Sequence, residues 1–129
     1  MRNEALREAH ELIDRLFEAW NAHDLERFLE CFDPAYDSHW PIHPDRDFVG
    51  RDEVRERWSG NFARMPDFKA ERLGLAFADD GSAWVETRWT GTPPDRPRFD
   101  EQGVIVYGIK AGVIVSGRLY LEPTPSASS

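Results

Sequence analysis

Trp20-Asn-Ala-His-Asp-Leu-Glu-Arg-Phe28, followed by Phe32-Asp-Pro34 and then Gly50-Arg-Asp-Glu-Val-Arg-Glu-Arg-Trp58, decides how this chain is read. It reads as the end of a long helix, a sharp break, a second short helix, an irregular segment and a third helix. Upstream, Leu6, Ala9, Ile13, Leu16, Phe17 and Trp20 recur at three- and four-residue spacing, with Glu, Arg and Asp on the other face. That spacing predicts an amphipathic helix over residues 3–21. Asn21-Ala-His-Asp24 ends it, and Asp24 has the short acceptor side chain of an N-cap for the next helix. Leu25, Phe28, Leu29 and Phe32 are expected as that helix's buried stripe, with Cys31 in the same helical stretch and Asp33-Pro34 as its stop. Tyr36 to Trp40 reads as a short strand. Pro41 and Pro44 then forbid regular pairing, since proline lacks the donor. Gly50 precedes a third helix whose first turn carries Asp52 and Glu53, where the helix dipole favours acids. Val54, Trp58, Phe62 and Met65 line one side of it.

From Phe68 onward the period becomes two. Strands are expected at 68–78, 82–92, 98–109 and 112–122, with Asp79-Asp80-Gly81 and Ala111-Gly112 as hairpin turns. Three helices ahead of an antiparallel sheet make an α+β cup, and a cup usually holds a small molecule. One domain over 1–122 accounts for the length, and the small polar segment Pro123–Ser129 is expected to be a frayed tail.

Composition narrows the function classes. The net charge of -8 in 129 residues argues against nucleic acid and against an anionic membrane. The single Cys31 excludes an internal disulfide and fits a reducing, cytoplasmic setting. The first residues lack the apolar run of a signal peptide, and no segment approaches the roughly 20 apolar residues that span a bilayer. Five Trp in so short a chain suit a core or a pocket wall.

The order helix, helix, short strand, helix and four antiparallel strands resembles the nuclear transport factor 2-like superfamily, and within it the SnoaL-like proteins, which include polyketide cyclases. The residues that carry the resemblance are Trp20-Asn-Ala-His-Asp-Leu25, Phe32-Asp-Pro34, His39-x-Pro41, Gly50-Arg-Asp-Glu-Val54, Pro66-Asp67, Asp80-Gly81, Thr90-Gly91-Thr92, Gly103-Val104 and Gly112-x-Ile114, spread over nearly the whole chain. The resemblance implies a conical α+β barrel, with a strongly curved, mainly antiparallel sheet wrapped around a pocket, and frequent homodimers. It is specific for fold and poor for function, because this fold hosts isomerases, dehydratases, epoxide hydrolases, cyclases and non-catalytic adaptors. Ketosteroid isomerases of the superfamily use a Tyr on the first helix, an Asp before a Pro on the first strand and an Asp on the third long strand. Matching around the shared landmarks puts Leu16, Trp40 and Ile105 at those positions, and none of them moves a proton.

Chemistry-bearing residues are few. Tyr36-Asp37-Ser-His39-Trp40-Pro-Ile-His43-Pro-Asp45 is the richest constellation. A histidine titrating near ~6.5 serves as acid or base at neutral pH, which makes His39 and His43 candidates. The plainer reading is that both are loop residues bonded to backbone. Asp37, His39, His43 and Asp45 are metal-ligand types, but their spacing matches no recognised zinc pattern, so no metal is expected. No nucleophile elbow, phosphate loop or dinucleotide fingerprint occurs, and no cofactor is expected.

Strand parity supplies the rest. On 82–92, Ala83, Val85, Thr87 and Trp89 look inward. On 98–109, Phe99, Glu101, Gly103, Ile105, Tyr107 and Ile109 do so, and on 112–122, Val113, Val115, Gly117, Leu119 and Leu121; a one-residue bulge would reverse any of these. Glu101 is then the one carboxylate facing the cup and the third candidate acid or base, unless it pairs with an Arg or lies in solvent. The pocket wall is expected from Phe17, Trp20, Trp40, Trp58, Phe62, Thr87, Trp89, Ile105, Tyr107 and Leu119. Trp84, Glu86, Arg88, Arg118 and Tyr120 face outward, as a surface of ion pairs or as a homodimer interface. Two readings result. One is a cofactor-free enzyme moving protons on a small apolar carbonyl compound, in a cyclisation, isomerisation or hydration. The other is a binding or protein-interaction module with the same pocket.

Overall fold

A computed structural model describes residues 3–125. Its elements run α1 (Asn3–Asn21), α2 (Leu25–Leu29), β1 (Phe32–His39), β2 (Phe48–Val49), α3 (Arg51–Arg64), β3 (Lys69–Phe77), β4 (Ala83–Gly91), β5 (Phe99–Lys110) and β6 (Val113–Pro123). The strands form one six-stranded mixed sheet in the order β2-β1-β6-β5-β4-β3, antiparallel throughout except for the parallel β1–β6 pair. The sheet curls around the helices without closing, so the expected cone is an open one with β2 and β3 at its edges. The final residues of the expected tail, 126–129, lie outside the described part, as do residues 1 and 2.

α1 forms over the expected span because its apolar stripe is unbroken. Leu12, Ile13 and Leu16 are almost fully buried, and each contributes about 1.5–3 kcal/mol of transfer free energy. The helix then stops in a way that ties it to the sheet. The Asn21 side chain donates to the Ala70 carbonyl at 2.9 Å and accepts from the Ala70 N–H at 2.7 Å. β3 is an edge strand there, and Asn21 satisfies backbone groups that would otherwise invite a further strand. His23, in the left-handed region at φ 55°, stacks on Phe62 and donates Nε2–H to the Phe68 carbonyl at 2.9 Å. Asp24 caps α2 by accepting from the Arg27 N–H at 3.2 Å.

α2 is shorter than its apolar pattern suggests. It ends at Leu29, and Phe32 is the first residue of β1 rather than part of a helical stripe. Cys31 lies in the turn between them, where its carbonyl accepts the Ile114 N–H at 2.8 Å and so starts the β1–β6 pairing. Helix propensity over these residues loses to the ladder bonds a neighbouring strand offers. Phe32 still reaches the core.

Parity holds on β4, where Ala83, Val85, Thr87 and Trp89 are buried. On β6 it is corrected at one end. The register slips between Gly108 and Ile109, leaving Val115 without a partner, and Ile114 is buried instead of Val113 and Val115. Beyond that bulge Gly117, Leu119 and Leu121 face inward as expected.

Candidate functional site

The helices and the curled sheet enclose a cavity of about 280 Å³. Trp20, Phe28 and the α3 residues Arg57, Trp58 and Asn61 form its helical wall. β1, β2 and their connection contribute Phe32, Tyr36, Ser38, Trp40 and Phe48, and the sheet closes it with Trp89, Ile105, Tyr107 and Leu119. Trp20, Trp58 and Trp89 meet edge to face in a triangle, with ring centroids 5.1, 5.3 and 5.4 Å apart. Rigid aromatic pairs of this kind hold a cavity open without polar support.

The polar groups of the wall are hydroxyls, indole N–H groups, one amide and one guanidinium. Ser38 hydrogen-bonds the Tyr36 hydroxyl, and burial pushes that phenol up to about 12. Tyr107 is pushed up further by the same cause. Tyr36 fits against the sheet because position 117 is glycine, whose missing Cβ would otherwise strike the phenol oxygen. Arg57 stands at the mouth, its guanidinium 4.3 Å above the Phe48 ring and its Nε donating to Glu53 at 3.0 Å. None of the fourteen lining residues is an Asp, a Glu or a His. The cavity therefore offers hydrogen-bond donors in an aromatic box and no side chain that takes up a proton near pH 7.

Seven of the ten residues expected in the wall are there: Trp20, Trp40, Trp58, Trp89, Ile105, Tyr107 and Leu119. Phe17, Phe62 and Thr87 are not. Phe17 is core and borders a shallow groove on the far side of α1, beside Asn21 and Arg72. Phe62 is drawn off by His23 stacking on its face. Thr87 is buried, and its hydroxyl donates to the Glu71 carbonyl at 2.7 Å beside the irregular register of β3.

The three candidate acids and bases also lie outside the lining. His39 points to the outer side of β1, 46% exposed, with Nε2 3.0 Å from Asp37 and Nδ1 3.3 Å from Asp47. Hydrogen bonds to the two carboxylates, Asp37 first, raise its pKa. Asp47 in turn accepts the Trp40 N–H at 2.6 Å, which fixes the turn carrying the Trp40 ring. His43 pairs with Glu122. Glu101 faces inward, opposite Trp89 across the β4–β5 ladder, and desolvation raises its pKa while the Arg46 charge opposes that. Glu101 also feels the charges of Glu122, Arg96 and His43, and none of these residues lines the cavity. Among the described residues no group of three or more His, Cys, Asp or Glu is arranged to hold a metal ion.

Tyr36, Ser38 and Arg57 were missed, yet a signal for them exists. Tyr36, Ser38 and Trp40 share one parity, so an inward Trp40 carries both hydroxyls inward and turns His39 out. Arg57 and Asn61 are one helical turn apart on α3 and flank Trp58.

A SnoaL-like domain is recognised over residues 13–117. The chain belongs to the SnoaL-like family. Among solved structures, Bal32a from a soil-derived mobile gene cassette is 25% identical, covers 91% of both chains and superposes with a TM-score of 0.79. IdmH of Streptomyces antibioticus, a candidate polyketide cyclase, is 22% identical over 88% of this chain and 91% of its own, with a TM-score of 0.73. A Catenulispora acidiphila protein with a ketosteroid isomerase-like fold, solved with trimethylamine, is 14% identical over 91% of this chain and 88% of its own, with a TM-score of 0.73. No curated protein matches the sequence. The conical α+β architecture is shared with these SnoaL-like and ketosteroid isomerase-like structures. Among the described residues no helix is long and apolar enough to cross a membrane.

Proposed function

We propose that this SnoaL-like chain is a small-molecule pocket protein that encloses a compound of one or two rings bearing a carbonyl group. It orients that compound without a carboxylate or imidazole in contact with it. The observation that carries this reading is the composition of the wall, aromatic boxes and donors with no Asp, Glu or His. Proton abstraction needs a base within hydrogen-bond reach of the substrate, whereas binding needs only a closed cavity and one or two polar anchors. A volume near 280 Å³ lies just below the range of about 300–1,000 Å³ typical of drug-sized ligands, which favours a mono- or bicyclic occupant.

A proton-transfer enzyme of the cyclase or isomerase kind is the second reading. It is favoured by one observation, the half-buried Glu101 with its raised pKa beside Trp89. One experiment separates the two. With 1-tetralone as probe in D2O, the pocket reading expects saturable quenching of tryptophan fluorescence and no acceleration of deuterium uptake at the carbon next to the carbonyl. Trp58→Ala, which opens the mouth, should weaken binding about tenfold or more. Accelerated uptake that Glu101→Gln abolishes would transfer the case to the enzyme, and absence of binding would overturn the pocket reading.

The same reading extends to a cytoplasmic homodimer through the outer sheet face, which rests on Cys31 for the compartment and on strand register for the contact. Trp84 and Tyr120 are 44% and 39% exposed. Across the ladders, Trp84, Val106 and Arg118 form one row, and Glu86, Val104 and Tyr120 the next. A two-fold axis along β5 sets β4 of one protomer over β6 of its partner. Trp84 then meets the partner's Arg118 in a cation–π contact, and Glu86 meets the partner's Tyr120 hydroxyl. Arg88 is committed elsewhere, donating to the buried Asp100 from Nε at 2.9 Å and Nη2 at 2.6 Å. Sedimentation equilibrium should give a dimer that Trp84→Glu converts to a monomer with unchanged circular dichroism. A monomeric parent protein would sink the interface.

A further inference from the structure

Arg57 is the one charged residue among the fourteen that line the cavity, and with 41% of its side chain exposed it is open to an incoming group. Its guanidinium lies 4.3 Å above the ring of Phe48, which also lines the cavity. Stacking on an aromatic face fixes the plane of the cation and keeps water from one side of it. Glu53, one turn back on α3, accepts from Nε at 3.0 Å. That bond leaves both Nη groups without a carboxylate among the described residues. Arg55, Arg64, Arg72 and Arg88, by contrast, each give an Nη group to one. Asn61 lies one turn further along α3, also in the lining, and brings an amide donor to the same side of the helix. The arrangement is amphipathic: an aromatic interior with no acidic side chain, and a cation beside an amide at its mouth.

We propose that the ring compound held in this cavity is a carboxylate, with its rings in the aromatic box and its acid group bound by the Arg57 Nη groups and the Asn61 amide. The proposal rests on the pocket reading above and adds the charge of the ligand and the residues that select it. The chain carries a net charge of -8, so no long-range field draws an anion in, and the attraction is local to the mouth. One guanidinium that already shares its charge with Glu53 matches the single charge of a carboxylate better than the double charge of a phosphate. Glu53 holds Arg57 from the Nε side and, as a like charge close to the ligand's acid group, limits its affinity.

The test uses the intact chain and a matched pair of probes, 1-tetralone-6-carboxylate and 1-tetralone-6-carboxamide, which share a shape and differ in charge. Fluorescence titration at low salt should show the carboxylate binding at least as tightly as the carboxamide. Arg57→Gln should weaken the carboxylate about tenfold and the carboxamide no more than about twofold. Glu53→Gln should tighten the carboxylate severalfold, whereas a merely structural Glu53–Arg57 pair would weaken both probes when broken. In the unsubstituted protein the carboxylate's affinity should fall between about 50 and 500 mM NaCl and the carboxamide's should not. The salt series and Glu53→Gln decide the matter even where Arg57→Gln folds poorly. A carboxylate that binds more weakly than the carboxamide, or is as indifferent to Arg57, Glu53 and salt, would overturn the anion site and leave the pocket reading standing. Failure of both probes and of 1-tetralone to bind would overturn the pocket reading and the anion site with it.

Discussion

Gly103→Ala is expected to destabilise the protein by at least about 3 kcal/mol, at or beyond the upper end for overpacking. Gly103 lies in the middle of β5, opposite Thr87 of β4 and Leu121 of β6. A Cβ added there falls on the Tyr120 carbonyl oxygen, with the carbonyl carbon at 2.8 Å and the Leu121 Cα at 2.9 Å. Most overpacked sites relax by turning a side chain. Here the obstacle is strand backbone and not a side chain, and relief requires β6 to move away from β5. β6 carries Leu119 of the cavity and Tyr120 of the outer face, so the displacement reaches both surfaces. Gly60 supplies the control. It lies inside α3 with nothing within 4 Å of an added Cβ. Gly60→Ala should stabilise by roughly 0.5–1 kcal/mol through helix propensity alone. Urea unfolding of the three proteins measures both effects. A Gly103→Ala protein within about 1 kcal/mol of the parent would mean that the sheet yields where the close approach of β5 and β6 says it cannot.

This position also marks the limit of what the chain discloses by itself. Helix α1, the Asp24 cap, the Gly50–Arg51 start of α3 and the four long strands are legible because periodicity and capping are local properties. The SnoaL-like resemblance rests on the same local landmarks. What is illegible is decided by register between distant strands. The parallel pairing of β1 with β6 turns Phe32 from a helical residue into a strand residue, and the bulge opposite Gly108 exchanges Val113 and Val115 for Ile114. Where bulk alone decides, as at Trp20, Trp58 and Trp89, the residue expected in the wall lines the cavity. Thr87 and Phe62 lie outside the lining and have local partners, Thr87 in the Glu71 carbonyl and Phe62 in the His23 ring. Histidines attract attention by chemical type, yet His39 shares its parity with Asp37, and that parity turns it away from Tyr36 and Ser38. Alternation along β1 was the stronger signal than residue type.

Trp20→Ala should cost about 3–5 kcal/mol and abolish retention of a bicyclic ligand, which makes it the substitution with the broadest expected consequence. Trp20 is 2% exposed, and its ring lies 5.1–5.3 Å from those of Phe17, Phe28, Trp58 and Trp89. α1 projects it from its last turn, so it is the residue through which the helix touches both the core and the cavity. Truncation removes the indole's buried area and leaves a void, and Phe28, Trp58 and Trp89 are held away from it by edge-to-face contacts of their own. That void opens into the existing cavity. The enlarged space admits water beside groups that were dry, and the probe loses the wall against which it packs. Trp20→Phe is the informative companion. It keeps most of the packing and should cost less than half as much stability, while removing the N–H. Urea midpoints at constant m-value give the stability difference, and fluorescence titration with 1-tetralone gives the binding difference. If Trp20→Ala loses stability but keeps the ligand, the pocket is held by α3 and β1 alone, and Trp20 is a core residue that merely borders it. If both are lost together, core and binding site are one structure, and no substitution at this position can tune recognition without also taxing the fold.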